Sequence, residues 1–462
     1  MSELADIGMV GLGVMGANLA LNLAEKGFRV AIYDRGQANR AALASGAFGT
    51  SFIDCATEDA LLEAIRPPRA LVLLVPAGTA TDTALSALAG KASSGDLLID
   101  AGNSDFHDTR RRTVELEALG LAFLGIGVSG GAEGARNGPA MMAGGSRAVW
   151  DRVAPMLTAI AARHVDEPCV AWLGPDGAGH FVKTVHNGIE YADMQMIAEV
   201  YGLMRDGLGW NDVQSAGTFQ DWAQGPLASY LVEITAEVAG ATDPSTSLPM
   251  LDVIADKAGQ KGTGRWSVIE AQKLGAVAST IEAAVGARNL SAATALRDAL
   301  ATPATAPFGL DGTTLHQALH AGKVIAYAQG FGLLARASEE YDWDLALADI
   351  ARVWRAGCII RSTMLDDIAM AFEARPNTSL LTAPAFRDRL TTTLPALRQT
   401  VAAAALAGLP TPALASALAY VDQLARPRGT ANMLQGLRDY FGQHGFERTD
   451  REGSGFHGPW VG

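Results

Sequence analysis

The sequence predicts an α/β N-terminal domain, a large all-α helical domain after it, and a C-terminal tail. Short apolar runs alternate with helical patterns over residues 1–175. After these, long helical stretches rich in Ala, Leu and Met continue to about residue 430. From about residue 445 the chain is rich in Gly with scattered aromatic residues, which leaves little from which to build a core. We therefore divide the chain into three expected units: 1–178, 179–434 and 435–462.

The N-terminal domain is predicted to hold a doubly wound parallel sheet. Five near-continuous apolar runs have the composition of strands covered on both faces: 7–11, 28–34, 70–75, 96–102 and 121–129. Helical segments such as 17–26 and 108–119 lie between them. This alternation is typical of a sheet with helices on both faces. A turn-forming cluster, GPDGAG at 174–179, precedes the helical domain.

Charge and composition argue against several classes of protein. The net charge is −13, with 36 basic and 49 acidic side chains and no Lys/Arg-rich run, so we expect neither nucleic acid nor a membrane as partner. The cysteines, Cys55, Cys169 and Cys358, are too far apart in sequence for a zinc motif or a disulfide framework. The start of the chain has no signal-peptide pattern, and no run of about 20 apolar residues could span a bilayer. A soluble, cytoplasmic protein is expected.

The first strand leads into a complete G-x-G-x-x-G motif at Gly11, Gly13 and Gly16. An apolar strand precedes it, a helix follows it, and a second strand ends at Asp34, which is the context of a Rossmann-like dinucleotide site. The helix N-terminus would supply N–H donors to a pyrophosphate. Asp34 suits the ribose 2′-hydroxyl of NAD, whereas the adjacent Arg35 suits the 2′-phosphate of NADP, so these residues leave the choice open.

The segment KTVHNGIEY at 183–191 has polar groups on one side of a predicted helix over 179–207. These polar residues are Lys183, His186, Asn187 and Glu190. The opposite side is apolar: Val185, Ile189, Ala192 and Met196. Further along, the polar side itself becomes apolar: Met194, Ile197, Tyr201 and Met204. A narrower third sector is predicted to face solvent: Thr184, Gln195, Glu199 and Asp206.

A helix that is apolar over most of its circumference is predicted to be largely buried. Its buried charged groups then need partners or a ligand. An acid and a base two turns apart on one face are able to flank a small substrate. The alternative is that the polar side is an ordinary solvent-exposed face. The apolar residues that continue the same side of the helix disfavour this alternative.

Three loops are further candidates for ligand contacts. NSD at 103–105 and VSGGAEGARNGP at 128–139 each follow a predicted strand, where ligands gather in open α/β sheets. AGQKGTGRW at 258–266 is a Gly-rich basic loop that suits a phosphate. Together with Arg288, the basic residues of these loops would supply the local positive charge that an anionic substrate requires.

Eight sequence blocks match those of a known family: GLGVMG, IDAGNS, GVSGGAEGARNGPAMMAGG, GAGHFVKTVHNGIEYADMQ, AGQKGTGRW, YAQGF, WRAGCIIRS and LRDYFGQH. They run in order through nearly the whole chain, and the central blocks are long and specific. The chain thereby resembles the 6-phosphogluconate dehydrogenases, a long-chain form within the β-hydroxyacid dehydrogenase superfamily.

The resemblance implies oxidative decarboxylation of 6-phosphogluconate to ribulose 5-phosphate and CO2 with reduction of NADP, without a metal. This is a reaction of gluconate utilization and the pentose phosphate pathway. It also implies a homodimer in which each active site is shared between subunits. The family's catalytic lysine and glutamate fall on Lys183, the base, and Glu190, the acid that protonates C1 of the enediol, with Asn187 assisting.

The resemblance also implies the binding residues. Those implied for the substrate are Asn103, Ser129, Gly130, Gly131, His186, Asn187, Tyr191, Lys261, Thr263 and Arg288, with Arg438 and His444 reaching the partner subunit's site. Those implied for the cofactor are Gly11, Leu12, Gly13, Val14, Met15, Gly16, Asp34, Arg35, Gly36, Val75, Pro76, Ala77 and Asn103.

The chain departs from the family pattern at the cofactor site. The family's usual Asn-Arg-Thr is Asp34-Arg35-Gly36 here, and Pro76 stands where a Lys is common. NADP is expected because Arg35 is present, with an NAD-preferring enzyme as the alternative. Two alternative hypotheses remain: another β-hydroxyacid dehydrogenase, and a catalytically silent dinucleotide-binding sensor. The phosphate-end residues disfavour the first, and the presence of both Lys183 and Glu190 disfavours the second.

Overall fold

The computed structural model describes residues 3–260, 262–302, 308–376 and 378–460. Its N-terminal part is an eight-stranded sheet with the order β10-β7-β6-β5-β4-β1-β2-β3. The strands of this sheet are β1 Ile7–Val10, β2 Val30–Tyr33, β3 Phe52–Asp54, β4 Ala70–Leu73, β5 Leu97–Asp100, β6 Ala122–Ser129, β7 Ala140–Gly145 and β10 Val170–Gly174. A separate antiparallel pair is formed by β8 Arg163–His164 and β9 Glu167–Pro168.

The five predicted strands are confirmed as β1, β2, β4, β5 and β6, and three further strands of the eight-stranded sheet were not predicted. The missed strands are β3, β7 and β10. The sheet is parallel except that β7 pairs antiparallel with β6. The connection from Ser129 to Ala140 is short, and a return to the same edge of the sheet by so short a connection requires an antiparallel neighbour.

Helices flank the sheet and then form the rest of the molecule. Those of the N-terminal part are α1 Val14–Glu25, α2 Gln37–Ala44, α3 Glu58–Ala64, α4 Thr79–Ala89, α5 Phe106–Glu117, α6 Gly131–Asn137 and α7 Arg147–Ile160. Those that follow are α8 Ala178–Gly202, α9 Asp212–Trp222, α10 Tyr230–Gly240, α11 Met250–Val253, α12 Thr263–Leu274, α13 Ser279–Ser291, α14 Thr294–Ala299, α15 Gly312–Tyr341, α16 Leu347–Val353, α17 Met364–Ala374, α18 Pro384–Ala407, α19 Pro412–Leu424 and α20 Ala431–Gly442. None of the helices in the described ranges is both long and apolar enough to span a bilayer.

The central helix of the molecule is α8, which packs against β6 and β7 on one side and against α12, α13 and α15 on the others. Of its 25 residues, 19 are buried, which confirms the prediction of a largely buried helix. Gly127 of β6 permits the close approach, because a Cβ there would lie 2.3 Å from the Cβ of Lys183. A π-helical turn, Leu203–Gly207, ends this stretch.

The C-terminal segment is organised differently. In α20 only Asp439 is buried, and residues 445–460 fold back on the helix around it. A backbone bridge between Phe446 and Phe456 closes this loop. Residues 445–460 are thus laid on the surface of α20.

Candidate active site

The glycine motif forms a loop at the carboxyl edge of the sheet, between β1 and its neighbour β4. This is the point at which the strand order reverses, where open α/β sheets bind dinucleotides. Gly13 precedes α1, and the space where its Cβ would project is open. Gly16 is required for packing, since a Cβ there would lie 1.9 Å from the carbonyl oxygen of Gly11. An exposed helix N-terminus beside bare backbone fits a pyrophosphate.

Asp34 follows β2 and is already engaged by the backbone of this loop. One carboxylate oxygen accepts a hydrogen bond from Leu12 N–H at 2.7 Å, and the other accepts one from Gly36 N–H at 2.6 Å. Arg40 donates to the carbonyl oxygen of Asp34 and pairs with Asp54 at 2.7 Å. Arg35 is exposed, so its guanidinium is accessible from solvent.

The other predicted cofactor residues lie in the loops after β4 and β5 or at the start of α1. Val75 packs beside Gly11 and is half-buried, whereas Pro76, Ala77 and Asn103 are exposed. Val14 is 69% exposed at the first turn of α1, and Met15 is half-buried. Since the carboxyl ends of parallel strands meet at one edge, these residues lie at the same edge of the sheet.

A compact polar cluster lies where α8 crosses the end of β6. The Nζ of Lys183 donates to the Oδ1 of Asn187 at 2.7 Å and to the Oγ of Ser129 at 3.1 Å. The His186 ring bridges the same groups, with Nε2 3.2 Å from Ser129 Oγ and Nδ1 3.1 Å from Asn187 Oδ1. Lys183 is 5% exposed and His186 is fully buried. Glu190 lies one turn on, 3.8 Å from the Nδ1 of His186.

Burial shifts the proton equilibria of this cluster. Removal from water lowers the pKa of Lys183, and the negative charge of Glu190 only partly opposes this. The pKa of His186 is lowered well below its usual range, first by burial and then by Lys183. Burial raises the pKa of Glu190, against the opposing charges of Lys183 and Arg288. Burial therefore disfavours the charged form of each of these three groups.

The predicted phosphate end begins where this cluster stops. The guanidinium carbon of Arg288 stacks 3.5 Å above the Tyr191 ring, and its Nη1 donates to the carbonyl oxygen of Gly259. Thr263 is the first residue of α12 and is buried. Ser267 ties α12 to the central helix by donating to the carbonyl oxygen of Thr184 at 2.7 Å. The predicted Lys261 lies outside the described residues.

The predicted carboxylate end is the turn between β6 and α6. Ser129 ends the strand and is buried, while Gly130 and Gly131 are partly or fully exposed. Gly131 is the first residue of α6, and nothing lies where its Cβ would project. The Ser129 hydroxyl therefore lies directly beside Lys183, and the two glycines with accessible backbone follow it in the chain.

Two predicted substrate residues are not brought to this cluster within one chain. Arg438 and His444 are exposed, and their contacts lie within the C-terminal segment. Arg438 Nη1 donates to Gln435 Oε1 at 3.1 Å, and the His444 ring lies 6.1 Å from the ring of Phe441.

The predicted solvent-facing sector of α8 is wrong at two positions. Thr184 and Glu199 are 3% and 5% exposed. Glu199 accepts hydrogen bonds from the backbone N–H groups of Ala413 and Leu414 at 2.8 and 3.0 Å, so it caps the start of α19. Burial raises the pKa of Glu199 to about 7, against the effect of these donors. A carboxylate that caps a helix from another element cannot be recognised from helical periodicity.

The sequence reasoning also missed groups that support α8 from behind. Lys323 of α15 pairs with Asp193 at 2.6 Å, and both side chains are almost fully buried. Trp354 lies edge-on to His186, with ring centroids 5.6 Å apart. A charged residue inside the apolar stretch HAGKVIAYAQGF was the available signal for Lys323.

Two family profiles together match almost the whole chain. The profile described as the NAD binding domain of 6-phosphogluconate dehydrogenase matches residues 6–174. The profile described as the C-terminal domain of 6-phosphogluconate dehydrogenase matches residues 179–460.

Full-length relatives and a solved structure give the same result. The chain is 44% identical to the NAD(+)-dependent, decarboxylating 6-phosphogluconate dehydrogenase of Bacillus subtilis, over 98% of this chain and 99% of the relative. It is 42% identical to the NADP(+)-dependent, decarboxylating enzyme of the same organism, over 99% of each. A structure of Plasmodium falciparum 6-phosphogluconate dehydrogenase, described in apo form and with NADP+ or 6-phosphogluconate, aligns with a TM-score of 0.94 and 37% identity over 98% of this chain and 100% of the other.

Proposed function

The chain belongs to the 6-phosphogluconate dehydrogenase family, and we propose on this premise that it oxidatively decarboxylates 6-phosphogluconate to ribulose 5-phosphate and CO2 while reducing NADP. One observation carries the proposal: a buried Lys183, bonded to Ser129 and Asn187, shares one face of α8 with Glu190, whose side chain is 21% exposed. Residues 1–178 then serve the dinucleotide, 179–434 the substrate, and 435–462 the partner subunit. We place this enzyme of the pentose phosphate pathway in the cytoplasm.

Lys183 acts as the base because burial favours its neutral form. It accepts the proton of the 3-hydroxyl while the bound nicotinamide takes up the hydride from C3. After the bond to the carboxyl carbon breaks and CO2 leaves, Lys183 returns its proton to the oxygen at C3. Glu190, whose pKa is raised by burial, then protonates C1 of the enediol, and the enediol hydroxyl gives its proton to Lys183. Transfer of that proton from Lys183 to Glu190 restores the starting state of both groups. Protons and electrons balance without a further reactant.

Substrate recognition follows the two ends of the cluster. We propose that Asn103 and the turn Ser129–Gly131 hold the carboxylate end, while His186 and Asn187 hold hydroxyl oxygens. Tyr191, Lys261, Thr263 and Arg288 form the phosphate end within the chain. Stacking of Arg288 on Tyr191 supports this, since it fixes a guanidinium that is then suited to bind a phosphate.

The test is an assay of reduced cofactor and of CO2 with 6-phosphogluconate. We expect both products in equal amounts. Reduced cofactor from an unphosphorylated hydroxy acid, with none from 6-phosphogluconate, would identify another β-hydroxyacid dehydrogenase. Cofactor binding without turnover of any acid would identify a sensor.

The dinucleotide choice has a second candidate, NAD, favoured by Asp34. Its carboxylate is fixed by Leu12 and Gly36 at the end of β2, where it disfavours a nearby 2′-phosphate. The exposed Arg35 favours NADP by pairing with that phosphate. The ratio of kcat/KM for the two cofactors decides between them. We expect NADP to be preferred and Arg35→Ala to lower kcat/KM for NADP more than for NAD; a large preference for NAD in the wild type would overturn the choice.

The third part of the proposal is a homodimer with shared active sites, to which Arg438 and His444 contribute from the partner subunit. Mixed dimers test it directly. Lys183→Met and Arg438→Ala would each impair their own homodimers. In a dimer of one subunit of each kind, a shared site restores one complete set of residues, so KM returns to the wild-type value. Sites confined to single subunits would give no such recovery.

A further inference from the structure

The buried carboxylate of Asp439 holds the C-terminal segment together. One oxygen accepts hydrogen bonds from Gly445 N–H at 2.9 Å and from His457 Nδ1 at 2.7 Å. The other accepts from Gly458 N–H and from Trp460 Nε1, both at 2.9 Å. Asp439 is fully buried, although its neighbours on α20 are exposed. Four donors on one carboxylate are the arrangement that a buried charge requires.

A second link joins the same loop to the residues that flank Asp439. Gln435 accepts from Arg438 Nη1 and donates to the carbonyl oxygen of Gly445, the residue after His444. The backbone bridge between Phe446 and Phe456 then holds the two arms of the tail side by side. Arg438 and the loop that carries His444 are thus fixed with respect to each other by contacts within the segment.

The unit formed by α20 and residues 445–460 exposes apolar side chains to solvent. The large apolar side chains of α20 that are more than half exposed are Met433, Leu434, Leu437, Tyr440 and Phe441. Their spacing places them along one broad face of the helix. The segment is therefore folded before it meets the surface that would cover it. A preformed unit loses less conformational entropy on docking than a loose tail.

We propose that Asp439 is a positioning residue for the phosphate end of the partner subunit's active site. It folds residues 445–460 onto α20, so that Arg438 and His444 enter that site as one preformed unit. This rests on the proposed function, in which those two residues bind the substrate phosphate across the dimer. Asp439 itself, being enclosed by its four donors, does not touch the substrate.

Kinetics of Asp439→Asn in the full-length dimer test the proposal. An amide has one acceptor oxygen, so the donors to the other oxygen lose their partner. We expect KM for 6-phosphogluconate to rise about tenfold, while kcat and KM for the dinucleotide stay within about twofold. Asp450→Asn is the matched control, because Asp450 is an exposed carboxylate of the same segment that pairs only with Arg448; it should leave all three constants unchanged.

A double variant separates positioning from general damage to the fold. If Asp439 acts by placing Arg438, adding Asp439→Asn to Arg438→Ala should raise KM by less than about threefold more. Trp460→Phe, which removes a single donor, should raise KM by about threefold and retain the circular dichroism of the wild type.

Three results would overturn the inference: a wild-type KM for 6-phosphogluconate in Asp439→Asn, a fall in kcat with KM unchanged, or full additivity with Arg438→Ala. If the wild-type protein oxidises 6-phosphogluconate, any of these three results contradicts the role of Asp439 and leaves the proposed function standing. A wild-type protein inactive on 6-phosphogluconate would instead refute the proposed function.

Discussion

Helices α8 and α20 both carry predicted site residues, and they differ most in what surrounds them. In α8, 19 of 25 residues are buried, and burial lowers the pKa values of Lys183 and His186 among them. In α20 only Asp439 is buried, and Arg438 remains exposed. The first helix has the surroundings that acid–base chemistry needs within its own chain. The second has a fixed geometry and an exposed apolar face.

The difference shows that burial serves separate purposes in the two helices. Around Lys183, burial raises the free energy of the charged form and so favours the neutral amine, which is the form that a base requires. Around Asp439 it encloses a charge that remains ionised, because hydrogen bonds from Gly458, His457, Gly445 and Trp460 outweigh the effect of burial and lower its pKa to about 2. Lys183 thereby becomes suited to accept a proton, whereas the Asp439 carboxylate stays charged and holds the C-terminal segment in place.

The largest expected effect lies in α8. Lys183→Met retains the volume and the aliphatic contacts but removes the base. We expect kcat to fall by about 10² to 10⁴, the range for loss of general base catalysis, with the KM for cofactor little changed. Steady-state kinetics check this. Near-full turnover would show that Lys183 is not the base. Lys91→Met, at an exposed lysine paired with Glu58 and Asp59, serves as the control.

The second prediction contrasts two buried lysines, Lys183 within α8 and Lys323, which contacts α8 from α15. Lys323 has a carboxylate partner, so Lys323→Met leaves Asp193 buried and unpaired and should lower the free energy of unfolding by about 3 kcal/mol. Within the described part of the chain Lys183 donates to the neutral Ser129 and Asn187, so Lys183→Met should raise the free energy of unfolding at neutral pH by about 1 kcal/mol.

The difference in the free energy of unfolding between Lys183→Met and the wild type should depend on pH. Because the pKa of Lys183 is lowered on folding, the unfolded chain binds more protons in the window between that value and the ordinary 10.5. The stability of the wild type therefore rises with pH across this window. The advantage of Lys183→Met should shrink as the pH approaches 10.5. Urea titrations at several pH values measure it, and an advantage that grew with pH would contradict the assignment.

The third prediction moves to α20. Arg438→Ala should raise KM for 6-phosphogluconate about 30-fold, as expected for loss of a charged hydrogen bond to phosphate, and should change KM for the dinucleotide little. Initial rates at varied substrate check it. Equal increases in both KM values would show that Arg438 acts on the fold and does not bind the phosphate.

The smallest expected effect concerns the apolar face of α20. Leu437→Asp places a charge on that face and should weaken dimerisation about tenfold or more. Sedimentation velocity over a range of protein concentrations measures the dissociation constant. Val114→Asp is the control, because Val114 is 69% exposed on α5 of the N-terminal part. An unchanged dissociation constant for Leu437→Asp would mean that this face does not contribute to the dimer.

Sequence reasoning was most successful where neighbours along the chain decide the structure. The loop Gly11–Gly16 and the helix face that carries Lys183 and Glu190 both follow from spacing and residue type. It was less successful where distant segments decide. The strand Ala140–Gly145 depends on pairing with β6, and the burial of Glu199 depends on the start of α19.

The same division holds for the chemistry. Residue order alone places a dinucleotide loop before a helix, and an acid and a base on one face of another helix, since helical and strand geometry repeat over a few residues. Whether Lys183 is a base depends on the packing of β6 against α8, and whether the tail is ordered depends on four donors that converge on Asp439. Desolvation and hydrogen-bond partners come from segments far apart in the chain, so only the tertiary structure decides them.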